Sequence, residues 1–308
     1  MIVSNDSWRA SPSNETTPGT GAIPPLFRGF VDDAAVFPPG SASLSEAITG
    51  HARHRTAWYA PMIGPLVLPT SMVPSLGQFA GATGMEIGLV ADTGIDRLSG
   101  AVAEATALGL RVRQVEAAVA KRGEDPQPGL ARLVAVAAEL ADLDVFAEIP
   151  LTMGLHQALD RVADARSSGA RIFAKFRTGG LAAELFPTPG ELAAVITACR
   201  DRNVPFKLTA GLHRAIRHND PETGFTHHGF VNILAACLDA AAGADVAAAT
   251  ERLASTDPVP LIETIRARRA TPRPLWTGFG SCSVAEPVTD LRSLGLLGEV
   301  DEAVASPA

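Results

Sequence analysis

Cysteine is scarce: Cys199, Cys237 and Cys282 are the three in 308 residues, an odd number with no C-x-x-C pair. That count argues against a disulfide framework and against a thiolate zinc site. Cys199 and Cys237 lie in Ala-rich helical patterns and read as small core residues. No apolar run is long enough to span a bilayer. Residues 1–22 are rich in Ser, Asn, Thr, Pro and Gly and lack the apolar stretch of a signal peptide. A disordered leader over 1–25 is therefore expected, on a soluble, cytoplasmic protein. Basic runs are missing as well. Lys and Arg total 26 against 33 Asp and Glu, a formal charge of -7, which argues against nucleic acid or an anionic membrane as partner.

What the chain does have is alternation. It is 46% hydrophobic and 19% charged, and from Phe27 onward short β-rich runs alternate with helical patterns, the mark of a parallel sheet. Strands are expected at 30–37, 56–68, 85–91, 110–118, 144–149, 171–177, 205–212 and 274–279. Pro61, Gly64 and Pro65 interrupt the second. Ser43 with Glu46, and Thr188-Pro189-Gly190-Glu191, carry helix-start signals, the latter opening a helix at 191–202. A long stretch, 213–273, separates the seventh strand from the eighth and holds a His-rich loop and helices at 231–242, 246–253 and 260–268. These units suit an α/β fold, a single-domain (β/α)8 TIM barrel over 26–300 with an enlarged β7–α7 region and a tail at 301–308. A doubly wound open sheet would want a glycine-rich phosphate turn after its first strand, and Phe37-Pro38-Pro39-Gly40 is not one. Asp32-Asp33-Ala34-Ala35-Val36 resembles a motif of thiamine-monophosphate kinases, but the rest of that family's pattern is absent.

Strand alternation sorts side chains between the helices and the barrel interior. In the seventh strand Phe206, Leu208, Ala210 and Leu212 face the helices, and Lys207, Thr209 and Gly211 face inward. Phe173, Lys175 and Arg177 of the sixth face inward, as do Phe146 and Glu148 of the fifth and Glu116 of the fourth. Barrel interiors are ordinarily filled with branched apolar side chains, and buried charges are costly unless paired. An ion-pair network that fixes register is one account of this set; chemistry is the other. A free lysine is protonated at neutral pH and cannot attack a carbonyl. A neighbouring cation and partial desolvation lower its pKa and release the lone pair for a Schiff base, while a carboxylate moves protons. Lys175, Lys207 and Glu148 or Glu116 could fill those roles.

Three segments carry a resemblance. Lys175-Phe176-Arg177-Thr178-Gly179-Gly180 resembles the Lys-x-x-Thr-Gly segment that ends the sixth strand in deoxyribose-phosphate aldolases. Lys207-Leu208-Thr209-Ala210-Gly211-Leu212-His213-Arg214 is similar to that family's seventh-strand segment, and Gly278-Phe279-Gly280-Ser281-Cys282-Ser283 to its eighth-strand phosphate loop. The resemblance implies that Lys175 forms the Schiff base, that Lys207 depresses its pKa, and that Gly179, Gly211, Gly280 and Ser281 line a phosphate site. Three positions depart from the pattern: His213 is inserted before Arg214, Arg177 replaces a small polar residue, and Glu116 stands where the family has Asp.

Loop 213–228 supports a different reading. His213, His218, His227 and His228 could ligate a divalent metal ion, giving a metal-dependent lyase, isomerase or hydrolase. The spacing matches no standard metal signature, and the alternative is a polar lid over the barrel mouth with one or two histidines contacting substrate. His51, His54 and His156 fall in helical patterns and read as surface residues. Ser281-Cys282-Ser283 could hold a nucleophile but lacks a G-x-S-x-G elbow. Trp276 reads as core, and Trp58-Tyr59 as core or pocket wall. The expectation is a Schiff-base carbon–carbon lyase acting on a small anionic carbonyl compound, phosphorylated or not, without a cofactor. Lys175, Lys207, Glu148 and Glu116 would be catalytic, and Arg177, Thr178, Gly179, Thr209, Gly211, His213, Arg214, Gly280 and Ser281 would bind substrate. An anion-binding barrel without turnover is the third reading. A homo-oligomer stays open, since barrels often pair through their helices.

Overall fold

The computed structural model describes residues 23–298. Its first seven strands are β1 (Val31–Asp33), β2 (Ile63–Pro69), β3 (Glu86–Val90), β4 (Arg111–Ala118), β5 (Asp144–Glu148), β6 (Ile172–Arg177) and β7 (Phe206–Thr209). A two-residue-strand hairpin follows, β8 (His218–Asn219) and β9 (Thr226–His227), and then β10 (Trp276–Ser281). All but the hairpin close into a barrel in the order β1-β10-β7-β6-β5-β4-β3-β2, and every neighbouring pair is parallel. The chain is a (β/α)8 barrel.

Helices α1 (Leu44–Thr56), α2 (Val73–Leu76), α3 (Leu98–Ala107), α4 (Gln127–Glu139), α5 (Leu155–Ser167) and α6 (Pro189–Asp201) occupy the successive connections. The enlarged segment between β7 and β10 supplies α7 (Phe230–Ala241), α8 (Val246–Ala254) and α9 (Pro258–Arg268), and α10 (Ala285–Ser293) closes the described chain. The start signals act as expected. Ser43 and Thr188 each accept from the N3 amide while Glu46 and Glu191 reach back, so both helices open on complete capping boxes. Asp245 and Asp257 cap α8 and α9.

Several boundaries differ from the sequence pattern. Helix α1 runs to Thr56, and Pro61 sits in a 3-10 turn, so β2 begins at Ile63 rather than 56. Strand β1 stops at Asp33, because Asp33 accepts from the Ala35 amide and Phe37 turns back on the Ala34 carbonyl. Strand β7 stops at Thr209, because Ala210 and Gly211 take left-handed φ of 66° and 74°. Ile23 is buried, so part of the expected leader packs on the barrel; the rest, 1–22, and the tail from 299 lie outside the described residues.

The outer face of β10 meets α7 through a ring cluster. Phe279 stacks on Phe230 and Trp276, and Phe30 meets all three edge-on. Cys199, Cys237 and Trp276 are core residues, as their patterns implied. His51 is a correction: it is buried, not on the surface, with Nδ1 3.1 Å from Asp33 Oδ2. No helix among the described residues is long and apolar enough to cross a membrane.

Candidate functional site

The register places Glu148 opposite Lys175 and Lys175 opposite Lys207 on three adjacent strands. All three side chains point inward with Glu116, as alternation requires. Glu116 is the hub: its Oε2 lies 2.7 Å from Lys175 Nζ and its Oε1 2.5 Å from Lys207 Nζ. Glu148 Oε2 is also 2.7 Å from Lys175 Nζ, and its other oxygen accepts from Arg177 at 3.3 Å. Lys207 makes its second ion pair with Asp32, and Gln114 donates to Asp32 (2.7 Å) and Glu116 (2.9 Å). The ring of Phe146 lies 5.2 Å from the Lys207 ammonium. Three cations thus face three carboxylates, buried at Lys175, Lys207 and Glu116 and open to solvent at Arg177, the pairing buried charges need.

Two of these residues escaped the sequence reading. Asp32 and Asp33 are consecutive, so alternation sends one inward to Lys207 and the other outward to His51 of α1. The rule used on β4–β7 would have found Asp32 on β1. Gln114 is two residues before Glu116 on the same face. A compositional signal was also present: Lys121, Lys175 and Lys207 are the only lysines in the sequence, and all three belong to this end of the barrel.

The electrostatics correct one expectation. Lys207 was expected to lower the pKa of Lys175. Burial does disfavour the ammonium, but Glu116 and Glu148 outweigh it and hold Lys175 above the ordinary lysine range. Lys207 is raised likewise, against burial, by Asp32 and Glu116. Burial pushes Glu116 up, yet Lys175 and Lys207 hold it down at about 2. Glu148 is lowered against burial by Lys175 and then Arg177. Both lysines rest as ammonium groups.

Glu148 is where the network reaches open space. It lines a cavity of about 330 Å³ at the C-terminal mouth, together with Arg177 and with Lys121 and Arg122 from the loop after β4. Glu184 and Glu191 complete its polar rim. Active sites in barrels of this type lie at this face.

The residues expected to hold an anion are dispersed. Gly179 and Gly211 are set against each other: a Cβ on Gly179 would stand 2.9 Å from Gly211 Cα, so close backbone approach accounts for both. Thr178 is buried and donates to the Ala210 carbonyl at 2.7 Å. Arg214 turns to Asp290 of α10 at 3.6 Å, and the Ser281 hydroxyl donates to the Ser283 carbonyl at 2.9 Å. Thr209 and Gly280 pair across β7 and β10, and Gly280 has room above it. His213 points away from the lysines, to Glu286 and Cys282.

The four loop histidines do not converge. His218 stacks on His227 with centroids 5.4 Å apart, and His227 Nδ1 meets the Gly211 carbonyl. His228 is buried 2.7 Å from the Pro187 carbonyl, and burial pushes its pKa down to about 4. Among the described residues no three His, Cys, Asp or Glu side chains are grouped to hold a metal ion.

No family model matches the chain, and no curated protein matches it. Among solved structures it is similar to a lysine/ornithine decarboxylase complexed with cadaverine from Vibrio vulnificus, at 14% identity and a TM-score of 0.40. The overlap covers 84% of this chain and 57% of that chain. A likeness at this level carries no argument about chemistry, which rests on the geometry of the site.

Proposed function

We propose that this barrel is a carbon–carbon lyase of aldolase type that binds a small anionic carbonyl compound as a Schiff base on Lys175. One observation carries the reading: the buried Lys175 ammonium is shared between Glu116, deep in the barrel, and Glu148, which lines the cavity at the mouth.

A substrate carbonyl entering that cavity meets Glu148, and Lys175 lies directly behind it, 2.7 Å from Glu148 Oε2. Glu148 takes the ammonium proton, and the freed amine adds to the carbonyl carbon. The carbonyl oxygen is protonated in turn and departs as water, leaving an iminium. That cation draws in the electron pair of the Cα–Cβ bond as a carboxylate takes the proton of the β-hydroxyl; the departing fragment leaves as a carbonyl, and the carboxylic acid so formed returns the proton to the enamine carbon. Hydrolysis returns the lysine. The same carboxylates that hold Lys175 charged at rest are therefore its proton acceptors. Once one of them is neutralised, the Lys207 ammonium on the next strand favours a neutral Lys175. Arg177, Lys121 and Arg122 supply charge for the substrate's anionic group. The sequence of steps needs no cofactor.

The test is intact mass and peptide mapping after incubation with small aldehydes, ketones and keto acids plus cyanoborohydride. Three lysines and the amino terminus are the only amines that react, so the background is low. An adduct on Lys175 that disappears in Lys175→Met is the expected result. Failure of every carbonyl compound to label Lys175, or turnover that persists in Lys175→Met, overturns the assignment.

A further inference from the structure

A second cluster of reactive side chains stands on the rim, outside the lysine network. Cys282 follows the last residue of β10, and its sulfur lies 3.7 Å from His213 Nε2. The other ring nitrogen, Nδ1, is 2.8 Å from Glu286 Oε2, on the first turn of α10. Nucleophile, base and orienting carboxylate thus stand in line, contributed by the β7 loop, the β10 loop and α10. That is the arrangement by which a thiol is activated. The sequence fits the cluster. Gly40, in the loop after β1, packs on Cys282 so closely that a Cβ there would lie 2.9 Å from the cysteine's own. The thiol is only partly buried, unlike Cys199 and Cys237.

We propose that Cys282 is a nucleophilic modification site, activated by His213 and oriented through Glu286, that undergoes exchange with small disulfides at the barrel mouth. The step balances without any further reagent. Cys282 passes its proton to His213 and attacks one sulfur of the disulfide. The S–S bond breaks, the second sulfur leaves as thiolate, and a mixed disulfide stays on Cys282. The groups facing His213 agree with that role. Its bond to Cys282, and then Glu286, raise its pKa to about 9 against burial, so a proton taken from Cys282 is retained on the ring at neutral pH. His227 is the other titrating neighbour, and burial lowers its pKa. Arg214 is paired with Asp290. None of this draws on the Lys175 reading, and the two stand or fall separately.

The experiment uses the full chain with oxidised glutathione, and separately with iodoacetamide, mapping label to each cysteine over time. Cys199 and Cys237 are internal controls: both are fully enclosed, and burial raises their pKa values. The expected result at about pH 6.5 is label on Cys282 alone, at least about tenfold faster than in His213→Asn, with the difference closing as pH rises toward about 9 and any thiol ionises. Glu286→Gln gives a smaller slowing with the fold intact. Equal Cys282 rates in wild type, His213→Asn and Glu286→Gln, each folded by circular dichroism, overturn the proposal. So does label on Cys199 or Cys237 at the rate of Cys282.

Discussion

Between β10 and α7 the barrel wall is packed with rings, Phe30, Phe230, Trp276 and Phe279, in contact with one another and closed to solvent. On the other face of the wall the interior holds Asp32, Glu116, Glu148, Lys175 and Lys207, also largely closed to solvent but joined by charge. The ring cluster removes large apolar area from water, each ring worth up to about 3 kcal/mol. The ionic interior gains much less on folding, because desolvating each ion costs several kcal/mol before pairing returns any of it. The comparison teaches a division of labour within one wall: rings secure the fold, and charges sacrifice stability to hold two ammonium groups where water does not reach them.

The largest effect that would sharpen this contrast is on turnover. Lys175→Met is expected to lower kcat on the order of 10^4-fold, measured on the substrate that cyanoborohydride trapping identifies. Phe279→Ala should cost about 3–5 kcal/mol in urea unfolding by opening a cavity between β10 and α7. It should leave trapping at Lys175 intact at temperatures where the variant is folded. If trapping fell with stability, the two faces of the wall would not be separable.

Acid should weaken the interior. The folded pKa of Glu116, at about 2, lies below the ordinary value of 4.5, so its contribution is present above pH 4.5 and is lost as pH falls toward 2. Stability on the order of 3 kcal/mol should disappear across that window. Glu116→Gln should be less stable at neutral pH and should show a flatter acid limb in a pH series of urea melts. An unchanged acid limb in that variant would place the titration elsewhere. The smallest effect belongs to the outer layer: Thr188→Ala removes the capping box of α6 and should cost about 1 kcal/mol, with no change in trapping.

The barrel was legible in the sequence because its signals are local. Capping boxes, strand alternation and the count of β/α units each need only a short window, and they led to Glu116, Glu148, Lys175 and Lys207 facing one interior. The hub role of Glu116 was not legible, since one carboxylate bridging two lysines depends on register and barrel closure together. The direction of the lysine pKa shifts was misread for the same reason. Two cations on neighbouring strands suggest mutual depression, and only the three-dimensional positions of Asp32, Glu116 and Glu148 reverse it. Alternation alone would send Asp32 inward, but its pairing with Lys207 spans the closure of the barrel across β10, which the linear sequence does not show. The Cys282–His213–Glu286 line joins segments about 70 residues apart, and no spacing rule connects them.

The ionic interior also needs room, and glycines on two neighbouring strands leave it. A Cβ on Gly64 of β2 would stand 1.8 Å from the Asp32 carboxylate, and one on Gly88 of β3 would stand 2.8 Å from Gln114. Each polar side chain lies over a glycine of an adjacent strand, so the positions are locked in pairs, 32 with 64 and 88 with 114. A side chain at either glycine would push its polar partner from its place. In any relative, a side chain at position 64 should travel with a smaller residue at 32, and one at 88 with a smaller residue at 114. The record of this chemistry would then be kept partly by residues that have no side chain.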